Sequence, residues 1–142
     1  MNEQHLLEEA EYMDIILALL QKPYNIDSLI KIVFISFCVH NENDLLKYSN
    51  RKHDFVDTFL ENISFKLEVN KSELESIFGV LDILRKQKII DISDDKVFVK
   101  KYINYSVQNP LIQKCALREV NPVSEINKLD SKALLEEVIR YV

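Results

Sequence analysis

The stretch NKSELESIFGVLDILRKQKIIDISDDKVFVK, residues 70–100, decides the fold. Asn70 precedes Glu73 at the spacing of a capping box, in which each side chain binds the other's orphan backbone N–H. Val69 and Leu74 flank the cap as a hydrophobic staple. Leu74, Ile77, Phe78, Leu81 and Leu84 then recur at the spacing of an amphipathic helix. Arg85, Lys86 and Lys88 fill its last turn, where cations complement the helix dipole. Ile89, Ile90 and Ile92 follow, then the polar turn Ser93-Asp94-Asp95-Lys96, then Val97, Phe98 and Val99. Two short β-rich runs about a polar turn predict a hairpin.

Upstream, residues 3–20 predict an amphipathic helix with Leu6, Leu7, Ala10, Met13, Leu17 and Leu20 on its buried face. Glu3, Glu8, Glu9, Glu11 and Asp14 make the opposite face acidic, read as solvated or as a docking surface for a basic partner. Pro23 ends this helix. Asp27 or Ser28 caps a second helix running to about Val39. Its apolar residues cover nearly every face, so it must sit at the centre of the fold or be covered by a partner. Ile30, Phe34 and Phe37 are the candidate apolar partner surface. A β-strand over 32–39 is the competing reading, because those residues are β-branched and aromatic. Residues 40–53 read as a connector. Asp54 caps a third helix carrying Phe55, Val56, Phe59, Leu60 and Ile63.

Downstream, Asn109-Pro110 and Asn121-Pro122 punctuate a shorter helical piece, 111–118. Asp130 caps a last helix with Leu134, Leu135, Val138, Ile139 and Val142. The expectation is a mostly α, α+β fold: a winged helix-turn-helix core with an N-terminal helical pair and a C-terminal helix. The regions are 1–62, 63–102 and 103–142, sharing one compact domain.

Composition narrows the chemistry. The chain has 142 residues, long enough to bury a core without metal or disulfide staples. It holds 1 Gly, so the glycine-rich cradles of nucleotide binders are disfavoured. The net charge of −5 weighs against a stand-alone nucleic-acid binder. The N-terminal residues have neither the basic nor the apolar region of a signal peptide, and a cytoplasmic location is expected. No membrane span is expected either.

Catalytic and metal-binding constellations are weak. Cys38, His40, His53 and Cys115 match no familiar zinc spacing. Asp91, Asp94 and Lys96 form a nuclease-like set only in a turn, where Asp is simply a good turn residue. No catalytic residue, metal or cofactor is expected. Two surfaces remain. Arg85, Lys86, Lys88, Lys100 and Lys101 are the candidate DNA-backbone or partner patch. Against base readout stand Glu73 and Glu75 at the start of the helix, with Asp94 and Asp95 at the hairpin tip.

The stretches EYMDIILALLQKPYNIDSLIKIVFISF (11–37) and KSELESIFGVLDILRKQKIIDISDDKVFVK (71–100) carry a resemblance, under half the chain in extent. In pattern and size the chain resembles the small middle component of bacterial three-component ABC-ATPase defence systems, the group that includes Lamassu. The resemblance implies an accessory winged-helix subunit that bridges a long-armed, SMC-like coiled-coil ATPase and a toxic effector, often a nuclease. It implies DNA contact only through the complex, and no catalytic residue. A non-enzymatic adaptor in antiphage or antiplasmid defence is therefore the first expectation. A winged-helix, DNA-binding transcriptional regulator is the alternative.

Overall fold

The computed structural model describes residues 3–41 and 72–140. The order is α1 (Glu3–Leu20), α2 (Leu29–Asn41), α3 (Ser72–Lys86), β1 (Ile90–Ser93), β2 (Lys96–Val99), α4 (Pro110–Ala116), α5 (Pro122–Asn127) and α6 (Ser131–Arg140). The described part is mostly helical, with one two-stranded antiparallel sheet directly after α3. The helix expected over 55–63 lies outside the described residues, as do the Asn70 cap, the Val69 staple and His53. Among the described residues no helix is long and apolar enough to cross a membrane.

The apolar segment after Ser28 is a helix and not a strand. α2 packs against α1, α3, α5 and α6. Ile32, Val33, Ile35, Phe37, Cys38 and Val39 are all buried. Enclosure on several sides is what lets a helix be apolar on nearly every face. One hydrophobic cluster joins α2 to Ile15, Ile16 and Leu19 of α1, Ile77, Leu81 and Leu84 of α3, and Ile90 and Val97 of the hairpin. The same cluster takes in Ile112, Val123, Ile126 and Leu134 from the C-terminal helices.

Two buried faces are rotated from the expected ones. On α1 the enclosed residues are Tyr12, Ile15, Ile16, Ala18, Leu19 and Leu20, while Leu6 and Leu7 are exposed. On α3 they are Glu73, Ser76, Ile77, Val80, Leu81 and Leu84, and Phe78 is half-exposed. Both rotations have one cause. Polar side chains of α1, α2 and α3 bond to each other between the helices, so the buried stripes include Tyr12, Glu73 and Ser76.

The hairpin is seated at both ends. α3 ends with Lys88 in the left-handed region at φ 63. Lys88 N–H donates to the Arg85 carbonyl and Ile89 N–H to the Leu84 carbonyl, the paired bonds of a Schellman motif. The strand register pairs Ile90 with Val99, Asp91 with Phe98, Ile92 with Val97 and Ser93 with Lys96. Beyond β2, the backbone at Asp27 and Ser28 forms a short antiparallel bridge to Lys96. Val97 N–H donates to the Asp27 carbonyl at 2.9 Å, and Leu29 N–H to the Asp95 carbonyl at 2.8 Å. The loop between α1 and α2 thus extends the sheet by one short step.

The two Asn-Pro pairs turn out to begin helices. Asn109 accepts from Ile112 N–H, and Asn121 from Val123 N–H, each with Pro at the first helical position. The expected piece over 111–118 is α4, and α5 is an additional helix opened by the second pair.

Candidate interaction surface

The five basic residues singled out in the sequence separate into smaller groups. Arg85 and Lys86 both pair with Asp82, at 3.0 and 2.9 Å. Those two cations, Lys86 foremost, hold the Asp82 carboxyl below its ordinary range. Lys101 Nζ donates to the Gln87 carbonyl at 3.0 Å, satisfying backbone just past the end of α3. Arg85, Lys88 and Lys100 line one open hollow of about 440 Å³, together with Ile90 and Asp91.

Strand alternation sets what lies beside that hollow. Val97 is buried, so Lys96, Phe98 and Lys100 share the opposite, outer face of the strand and its extension. Lys100 N–H donates to the Ile89 carbonyl, which carries the ladder one residue further. Phe98 is 48% exposed on this face. Sequence reasoning left Phe98 and Lys96 out of the candidate surface. The signal was present in the alternation of Lys96-Val97-Phe98, which puts Phe98 outside once Val97 is inside.

The expected apolar partner surface is corrected. Phe37 is fully enclosed by the core and offers nothing to a partner. Ile30 and Phe34 are partly buried and pack against the same cluster. Tyr102 and Leu117 lie furthest out among the large apolar residues described, at 90% and 88% exposure.

The acidic residues are used internally more than expected. Glu73 is buried, and its Oε1 accepts from Tyr12 OH at 2.8 Å and from Asn41 Nδ2 at 3.1 Å. The same oxygen lies 2.9 Å from His40 Nδ1, while His40 Nε2 lies 2.6 Å from Glu11 Oε2. The imidazole also stacks on Tyr12, with ring centroids 4.4 Å apart. Burial pushes the Tyr12 phenol far up, and its bond to Glu73 adds to the shift. Ser76 donates to Glu8, so a second polar link joins α3 to α1. Asp95 accepts from Ser28 Oγ at 2.8 Å and from Ile30 N–H at 2.9 Å, which makes it a cap for α2. Glu73 and Asp95 therefore do not face outward at the helix start and hairpin tip, whereas Glu75 and Asp94 do.

The residues weighed for chemistry are dispersed. Cys38 and Cys115 are buried, and burial pushes the Cys115 thiol up to about 11. Among the described residues no group of three or more His, Cys, Asp or Glu could hold a metal ion. Asp91 accepts from Ile92 N–H, and Lys96 lies 3.5 Å from Asp27, so the supposed nuclease set is held by separate partners. A cleft of about 830 Å³ lies between α1, the end of α2 and the segment leading into α4. Its Glu11 bonds to His40 and its Asp14 accepts from Gln108 N–H, so both carboxylates tie elements together.

Compared with protein-family models, with curated proteins and with solved structures, the chain shows no match.

Proposed function

We propose that this chain is a non-enzymatic adaptor: a winged-helix accessory subunit of an SMC-like ATPase complex in antiphage or antiplasmid defence, bridging ATPase and effector. The observation that carries the winged-helix part is the order of pairing. Among the described residues the order is a helix, a short extended step at Asp27–Ser28, a second helix, α3 and then the hairpin. The extended step hydrogen-bonds to the start of β2. That sequence of elements is what a wing closing over a helical core requires. The adaptor part is supported by the surface. Phe98 and Tyr102 stand out on or just after the hairpin, while Glu11 and Asp14 of the 830 Å³ cleft tie α1 to α2 and to the segment before α4. The test is co-expression with the coiled-coil ATPase that this reading expects to be encoded beside the chain, followed by size-exclusion chromatography. Co-elution as a defined complex supports the reading; separate elution of two folded proteins contradicts it.

One observation favours a second reading, a DNA-binding regulator. Of the four acids counted against DNA, Glu73 and Asp95 are engaged inside the fold. A regulator would bind duplex DNA tightly, with salt sensitivity and sequence preference, and charge reversal at Arg85, Lys86 and Lys88 would abolish binding.

A further inference from the structure

We propose that the outer face of the hairpin docks an acidic segment of a partner protein that carries one large apolar side chain. Phe98 is the anchor, and Lys96, Lys100, Arg85 and Lys88 are the surrounding cations. The inference deepens the adaptor reading and rests on it.

The geometry runs from the strand alternation. Lys96, Phe98 and Lys100 project from one face, and Asp91 sits opposite Phe98 in the register. Lys100 and Asp91 also line the hollow with Arg85 and Lys88, while Phe98 lines a second hollow with Tyr102 and Asp27. Among the described residues, Lys88 and Lys100 have no carboxylate partner in an ion pair. Lys96 reaches only an exposed Asp27 at 3.5 Å, an ion pair of the kind that contributes little. An exposed aromatic ring ringed by cations suits a partner with the inverse arrangement, an apolar side chain flanked by Asp or Glu.

Other occupants fit less well. A nucleic-acid backbone carries evenly spaced phosphates, and these would meet Asp91 within the patch and Asp94 at its tip. Single strands stack on successive aromatic rings, and Tyr102 lines the same hollow as Phe98, so oligothymidylate is the comparator that decides against them. A second copy of the chain would set lysine against lysine. A short protein segment places its charges at separate points and leaves Asp91 free to accept a hydrogen bond.

The test uses the whole chain and fluorescence anisotropy. The probe is a fluorescein-labelled peptide of glutamates with one central phenylalanine. Comparators are an all-glutamate peptide, a lysine counterpart and labelled oligothymidylate. The expected result is binding of the first probe, weakened about tenfold by Phe98→Ala and to a similar degree by Lys100→Glu. Both side chains are exposed, so matching thermal melts establish that the variants fold. No binding of the glutamate–phenylalanine peptide, equal binding by both variants, or preference for oligothymidylate overturns the proposal. Co-elution with the ATPase separates the two levels. Wild-type co-elution without peptide binding rejects this site and leaves the adaptor reading standing; failed co-elution with peptide binding rejects the adaptor.

Discussion

His40 Nδ1 lies 2.9 Å from Glu73 Oε1, joining the end of α2 to the first turn of α3. The other ring nitrogen faces Glu11 of α1, so a single imidazole spans three helices. Both nitrogens meet carboxylate oxygens.

Glu73 is the centre of this junction, because Tyr12 and Asn41 also donate to it. Glu73→Ala removes a buried acceptor shared by Tyr12, Asn41 and His40. It should cost about 3 kcal/mol in urea denaturation. Glu11→Ala, at a more exposed carboxylate, should cost under about 1 kcal/mol. Equal losses would show that the junction is not centred on Glu73.

Asp94 and Asp95 are neighbours with different roles. Asp95→Ala removes the acceptor of Ile30 N–H at the start of α2 and the bond to Ser28, whose hydroxyl still accepts from Lys31 N–H, and should cost about 1–2 kcal/mol by the same measurement. Asp94→Ala should stay within about 0.5 kcal/mol, since its side chain is exposed. A larger loss at Asp94 would contradict the capping assignment.

Lys88 occupies a position that favours glycine, with φ 63 at the end of α3. Lys88→Gly should stabilise the chain by about 1 kcal/mol through relief of the left-handed backbone. A lower melting temperature in this variant would show that the lysine side chain contributes more than its backbone costs.

Alkaline pH should destabilise the fold. Tyr12 and Cys115 both have folded values raised above their ordinary ones, Cys115 from 9.0 to about 11. The contribution of a raised group is complete below its unfolded value and is lost as pH rises through the folded one. The unfolding midpoint in urea should therefore fall progressively from pH 9.0 upward. Cys115→Ser should flatten the part of this slope between 9.0 and about 11. Tyr12→Phe should flatten it above the ordinary phenol value of 10.0. A profile that does not change in either variant would contradict the assignment to these groups.

The helices and the hairpin are readable because the apolar period is strong: α1, α2, α3 and both strands lie where that pattern puts them. The faces are less readable. A stripe rule ranks Phe78 above Ser76 for burial, yet Ser76 is enclosed because Glu8 of α1 accepts its hydroxyl. Such pairings join residues far apart in sequence, so no local pattern announces them. Likewise, Phe34 and Phe37 are equally apolar. Only the neighbours of α2 decide that Phe37 is enclosed and that Phe34 is not. Among the candidate surface residues, Arg85, Lys88 and Lys100 converge as their placement around the hairpin suggested, while Lys86 and Lys101 take local partners.

The most direct measurement titrates the purified chain against the coiled-coil ATPase that the adaptor reading expects to be encoded beside it, and against duplex DNA at about 150 mM salt, where exposed charges are substantially screened. An adaptor binds the ATPase at least about tenfold more tightly than any duplex, with no preference among DNA sequences. Tight, sequence-selective duplex binding with no measurable affinity for the ATPase would contradict the account.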